Sequence, residues 1–142
     1  MKKSIFLMLL IAMFLQKSSF AMTRLPTISC PEVQNIQQQG GEHGGFVYTA
    51  TATNNYTWAG ENPIADEEDL SVVSFRESYI TGEKTVSCDY VGSAPNVGMR
   101  MSLTALSAVR PVGTVWENER QSDGRILPHC TAGATQCSFE IN

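Results

Sequence analysis

From residue 44 onward, apolar and polar residues alternate with a period of two, which predicts strands. The clearest case is the stretch from Thr85 to Val91. There Val86, Cys88 and Tyr90 fall on one face of an extended strand, and Thr85, Ser87 and Asp89 on the other. A second run follows Gly44-Gly45, with Phe46, Tyr48, Ala50 and Ala52 on one face and Val47, Thr49, Thr51 and Thr53 on the other. Asn54-Asn55 predicts a turn, because asparagine tolerates left-handed backbone. The chain is then expected to return through Tyr56-Thr57-Trp58.

Leu70 to Ile80 reads as another strand. Val73, Phe75 and Tyr79 are expected on its inner face, with Glu77 among them, which predicts a bulge or a strand end nearby. Thr81 to Lys84 is a short turn, so this strand and Thr85–Val91 should form an antiparallel hairpin. After a turn at Gly92 to Asn96, Val97, Met99, Met101 and Leu103 alternate with Gly98, Arg100, Ser102 and Thr104. Shorter strands are expected at Thr114–Glu117, near Arg125–Leu127, and at Ser138–Ile141 on an edge. Before all of these, Pro31 suits the first position of a helix. Val33 and Ile36 recur three apart, and Gln37-Gln38-Gln39 runs into Gly40-Gly41, so one to two helical turns are expected after Cys30. Six or seven short strands at roughly ten-residue spacing predict a mainly β domain. Its expected form is a small antiparallel β-sandwich or partly open barrel with a short N-terminal helix.

The first 21 residues stand apart from this pattern. Lys2 and Lys3 precede an apolar run of eleven residues from Ile5 to Leu15, shorter than the ~20 needed to span a bilayer. Ser19-Phe20-Ala21 supplies small residues for cleavage, so a secretory signal peptide ending at Ala21 is expected. One domain, residues 22–142, follows, with a periplasmic or secreted location and no stable membrane anchor after cleavage. The signal takes away three of the ten basic residues and none of the fourteen acids, leaving seven against fourteen. So acidic a domain is repelled by phosphate backbones and anionic lipid surfaces, which argues against nucleic acid as a partner.

Cys30, Cys88, Cys130 and Cys137 all lie beyond the signal. An even count in an exported chain predicts two disulfides. The favoured pairing is Cys130 with Cys137, a local clip, and Cys30 with Cys88, a long-range staple. Loop-closure entropy gives roughly 2–3 kcal/mol for the clip and about 4 for the staple. Zinc pairs sit two to four residues apart, and no such pair occurs.

Several landmarks recur in a known order: Cys30-Pro31 before the short helix, Trp58 before a loop, Phe75 in a strand, Cys88-Asp89-Tyr90, Trp116, and Cys130…Cys137-Ser138-Phe139. In these the chain resembles a family of small exported proteins of Gram-negative bacteria whose function is unknown. The resemblance covers nearly the whole chain after the signal. It implies a disulfide-bonded, β-rich domain that is secreted or periplasmic, and it brings no catalytic residue.

Candidate chemistry is sparse. Met99 and Met101 are a thioether pair of the kind that takes Cu(I), but the same spacing is that of a buried strand face, and methionine commonly fills cores. His43 lies in a glycine-rich loop and His129 beside a cysteine. Asp66-Glu67-Glu68-Asp69 offers oxygen ligands without the alternation of a calcium loop. No cofactor or metal is therefore expected. Gly-x-Ser-x-Gly, phosphate loops and nucleotide fingerprints are absent. Tyr48, Tyr56, Trp58 and Trp116 are candidates for an aromatic binding platform, with Asp66 and Asp69 on the loop beside them. The competing expectation is that both tryptophans of so small a domain are core. The function these features favour is an exported, non-enzymatic binding or accessory module. It would present the loops at Glu42–Gly45 and Gly60–Asp69 to a protein or glycan partner. The alternatives are a small secreted hydrolase with a carboxylate-based site and a periplasmic metal-binding protein using Met99, Met101 and a histidine.

Overall fold

A computed structural model describes residues 25–64, 66–93 and 98–142. The signal peptide expected over residues 1–21 lies outside the described residues, as do Pro95 and Asn96 of the expected turn and Val97. Among the described residues, eleven strands pair antiparallel in two sheets. They are β1 (Thr27–Ser29), β2 (Gln37–Gly40), β3 (Phe46–Thr51), β4 (Thr57–Asn62), β5 (Ser74–Gly82), β6 (Thr85–Val91), β7 (Gly98–Thr104), β8 (Val109–Pro111), β9 (Glu117–Arg120), β10 (Ile126–Cys130) and β11 (Ser138–Ile141). The larger sheet has the order β2-β3-β4-β7-β6-β5-β10-β9, and the smaller β1-β11-β8. The sheets are not closed into a barrel.

The long strands are those the alternation predicts, except that Leu70–Val72 of the strand expected over Leu70 to Ile80 forms a 3-10 turn and β5 runs from Ser74 to Gly82; their apolar faces make the core. Val86, Cys88 and Tyr90 of β6 are buried, as are Met99, Met101 and Leu103 of β7 and Tyr48 and Ala50 of β3. Ile28, Phe139 and Ile141 supply the buried face of the smaller sheet. Trp58 of β4 meets Phe139 of β11 edge to face, with ring centroids 5.9 Å apart, and so joins the two sheets. Gly60 allows β4 and β7 to approach closely. A Cβ there would stand 2.2 Å from the Arg100 carbonyl oxygen.

The helix expected after Cys30 is not formed. Val33–Asn35 makes a single 3-10 turn, and Gln37–Gly40 extends as β2 against β3. The three-residue spacing of Val33 and Ile36 fits a 3-10 turn as well as an α-turn. An isolated helix this short is marginal, whereas pairing with β3 satisfies the backbone of the glutamines. The expected turn at Asn54-Asn55 does form, with both residues left-handed at φ 59° and 61°. The strand expected at Thr114–Glu117 instead begins at Glu117 and runs to Arg120.

Both disulfides follow the favoured pairing, Cys30–Cys88 and Cys130–Cys137. The first fixes the course of the N-terminal segment. Cys30 is tied to β6, while Gln37 opens β2 at the far edge of the larger sheet, so residues 30–36 cross its inner face. Tyr90 helps to hold them there, its hydroxyl donating to the Pro31 carbonyl at 2.5 Å. Burial and the neighbouring Asp89 push the Tyr90 phenol well above its ordinary range.

A bulge in β5 decides which residues reach the outer face. The register between β5 and β6 shifts between Phe75 and Glu77. Phe75 therefore faces inward onto Tyr90, at 5.7 Å, together with Ser78 and Ile80. Glu77 and Tyr79 are turned outward. This corrects the inner-face placement expected for Tyr79, and it removes the acid from the apolar row.

Candidate functional site

The outer face of the larger sheet carries a row of side chains that passes through all eight strands. Reading the strand registers across, it runs Glu117, His129, Tyr79, Ser87, Ser102, Ala59, Thr49 and Gln37. Titratable groups converge at its β9–β10–β5 end. The His129 Nε2 lies 3.0 Å from Glu77 Oε2, and its Nδ1 2.9 Å from Glu119 Oε2. The Tyr79 ring stacks on the imidazole with centroids 4.4 Å apart. The Tyr79 hydroxyl is 2.8 Å from Glu119 and 3.1 Å from Glu77. It has one proton, so it donates to one carboxylate at a time. Burial, with these two acceptors, holds the Tyr79 phenol well above its ordinary range. His129 donates to one carboxylate in either neutral tautomer and to both as imidazolium.

Beside this group Glu77 stands opposite Asp89 on β6. Two like charges so placed repel, and cations on either side offset them. Arg100 donates to Asp89 in a bidentate pair, both bonds at 2.6 Å. Arg76 contacts Glu77 at 3.2 Å. The Ser87 and Ser102 hydroxyls bond each other at 3.2 Å. Glu77, Glu119, Tyr79 and His129 thus bond to one another. The network docks the β9–β10 hairpin, which β5 otherwise holds through two residue pairs, His129 with Tyr79 and Cys130 with Ser78.

The open surface lies at the other end of the sheet. A depression of about 590 Å³ is lined by Gln34, Asn35, Gln37, Thr49, Thr51 and Thr57, all uncharged. A second, of about 620 Å³, is lined by Gln38 and residues 67–71. Gln37 and Gln38 are consecutive on β2, so the two depressions flank opposite faces of one edge strand. The Gln38 side chain holds the 66–69 loop by accepting from the Glu68 N–H and donating to its carbonyl, at 3.1 and 2.9 Å. Glu68 is buried, and its Oε1 has no hydrogen-bond partner. The buried Tyr48 hydroxyl also has none, and burial together with Glu68 raises its pKa.

Charge is segregated in the same way. Leu25 to Phe75, which build β1 to β4 and the loop, contain seven of the fourteen acids and no lysine or arginine. This half of the molecule therefore carries a one-sign field.

The aromatic platform expected from the sequence does not assemble. Tyr48 is 0% and Trp58 1% exposed, because both point inward from the paired strands β3 and β4. Tyr56 and Trp116 are half-buried, and the Trp116 indole donates to the Ser138 carbonyl at 2.8 Å. Asp66 is exposed. Asp69 is spent locally, accepting from the Ser71 N–H at 3.0 Å and hydroxyl at 2.6 Å, which lowers its pKa. Met99 and Met101 face the core, on the opposite side of the sheet from His129, and His43 is exposed on its loop. Among the described residues no group of three or more acidic, histidine or cysteine side chains is arranged to hold a metal ion.

Sequence reasoning passed over Glu77, Tyr79 and Glu119 as partners of His129, and it read Gln37–Gln39 as helix. The odd position of Glu77 in an apolar row was the signal for the first group. Gln37–Gln39 carried a misleading one, since glutamine favours helix and pairing with β3 overrides it.

The family model for DUF3757, a family of proteins of unknown function, matches residues 22–140, and the chain belongs to that family. The match covers the whole stretch over which the landmark residues suggested such a relationship. No curated protein and no solved structure matches the chain. Among the described residues no helix is long and apolar enough to cross a membrane.

Proposed function

We propose that this member of DUF3757 is an exported, non-catalytic binding module that engages a basic protein partner through its acidic β2–β4 half. The carrying observation is the segregation of charge: seven acids and no lysine or arginine in the half that also holds the open depressions. Such a field steers and orients a basic partner more than it adds raw affinity. Export is supported by two disulfides, which persist in oxidising compartments, and by the signal-like sequence before residue 22.

The second reading is a hydrolase using Glu77 and Glu119, the carboxylates that converge on His129. Against it, the Tyr79 hydroxyl and the imidazole fill the gap between the two acids. A glycosidase keeps that space for the sugar and its water.

The test pairs a turnover screen with direct binding, using the oxidised mature protein. Chromogenic glycosides, esters and peptides are expected to remain intact, and a basic protein such as cytochrome c to bind saturably and salt-sensitively. Turnover abolished by Glu77→Gln and Glu119→Gln would overturn the proposal.

A further inference from the structure

We infer that the free edge of β2 accepts an extended, basic segment of a partner protein as a ninth strand of the larger sheet. The inference rests on the binding-module reading and specifies its contact.

Exposed sheet edges are normally blunted by charge, proline, shortness or a cover. β9, at the other end of the larger sheet, is guarded by Glu117, Glu119 and Arg120. In the smaller sheet β8 ends in Pro111, and β1 is three residues long. β2 has the sequence Gln37-Gln38-Gln39-Gly40, with no charge and no proline. Three of its four residues are exposed. Among the described residues, no backbone hydrogen bond outside the strand ladders involves residues 37–40, and β3 is their one strand neighbour. The outward N–H and C=O groups of β2 are therefore available to an added strand, which would gain main-chain hydrogen bonds along it.

The flanking depressions give that strand a pattern. Its side chains alternate between the two faces of the sheet. One set lies on the outer face beside Gln37 and Gln39, which are uncharged, and suits small hydroxyl or amide side chains. The other set meets the depression of Glu67, Glu68 and Asp69. There Glu67 is exposed, and a lysine or arginine of the added strand would meet its charge. A second copy of this chain is a poor occupant. It would set the acids around one β2 against the same acids around the other, with no lysine or arginine from Leu25 to Phe75 to offset them.

The test uses the oxidised mature protein and a fluorescent peptide of alternating lysine and threonine. Anisotropy measures binding, and NMR follows the amides of residues 37–40. We expect saturable binding, with shifts and slowed exchange confined to β2 and the 66–71 loop. The same peptide N-methylated on alternate amides, tested in both phases, should lose binding in one phase and keep it in the other. A glutamate–threonine peptide should not bind. Glu67→Gln, which alters an exposed side chain, should weaken binding roughly two- to five-fold. Failure of the lysine peptide to bind, equal binding of both N-methylated peptides, or shifts confined to β9 and β10 would overturn the inference. So would concentration-dependent protection of residues 37–40 without peptide, which would assign the edge to self-association. Saturable binding of a basic protein elsewhere on the acidic half would leave the binding-module reading standing while removing this one.

Discussion

The Cys30–Cys88 staple is expected to matter more than its place between two buried strand and turn residues suggests, because it sets both global stability and the position of β2. The perturbation is the double substitution Cys30→Ala/Cys88→Ala. Its two cysteines are 58 residues apart. Loop-closure entropy for a separation of this size gives about 4 kcal/mol, released into the unfolded chain when the bond is absent. The clip spans a separation of 7, for which the same relation gives about 2 kcal/mol. With a urea slope of roughly 1–3 kcal/mol/M, removing the staple should lower the midpoint by more than about 1 M. Removing the clip through Cys130→Ala/Cys137→Ala should cost about half the free energy. There is also a local effect. Residues 30–36 reach β2 only by crossing from the staple, and among the described residues β2 is paired with β3 alone. Native-state hydrogen exchange of the staple variant should therefore quicken at residues 37–40 by more than at β6 or β7. A staple variant that loses no more stability than the clip variant would refute this reasoning. So would one whose exchange at β2 follows the rest of the sheet.

Three further outcomes follow from the same geometry. His129→Ala removes two contacts that dock the β9–β10 hairpin, so exchange over residues 117–130 should quicken and stability fall by roughly 1–3 kcal/mol; a uniform change across the molecule would count against the docking role. Tyr48, Tyr79 and Tyr90 all have raised pKa values, so folding favours their protonated forms. Their contribution is full below the unfolded value of about 10 and is lost as pH rises through the folded values. Phenolate absorbance should show late titration accompanied by unfolding, and a single step near 10 without unfolding would contradict it. Gly60→Ala puts a Cβ against the Arg100 carbonyl and should cost roughly 1–3 kcal/mol or more, read from the urea midpoint; an unchanged midpoint would mean β4 and β7 move apart freely.

Most of the core was legible in the sequence because a period of two leaves little choice. Val86, Cys88 and Tyr90, or Met99, Met101 and Leu103, can share one buried face only as strands. The cysteine pairing was legible for a related reason, since a separation of 7 suits a clip and leaves the other two to pair. Three features were not. β2 is defined by its neighbour β3, against the helix preference of Gln37–Gln39. The outward turn of Tyr79 depends on a bulge whose position is set by register with β6. The polar network joins residues up to 52 positions apart, His129 and Glu77, and no local pattern announces such a meeting. The aromatic platform failed for the opposite reason. Residue type suggested recognition, but the alternation that places Tyr48 and Trp58 on strands also turns them into the core.

The most direct measurement is hydrogen–deuterium exchange of the mature, oxidised protein, free and bound to the partner recovered from its own source. Protection centred on residues 37–40 and 66–71 is the predicted result, with Glu77, Glu119 and His129 unchanged. Protection concentrated on the β9–β10 hairpin, with β2 still exchanging freely, would contradict the assignment of the acidic half as the recognition surface.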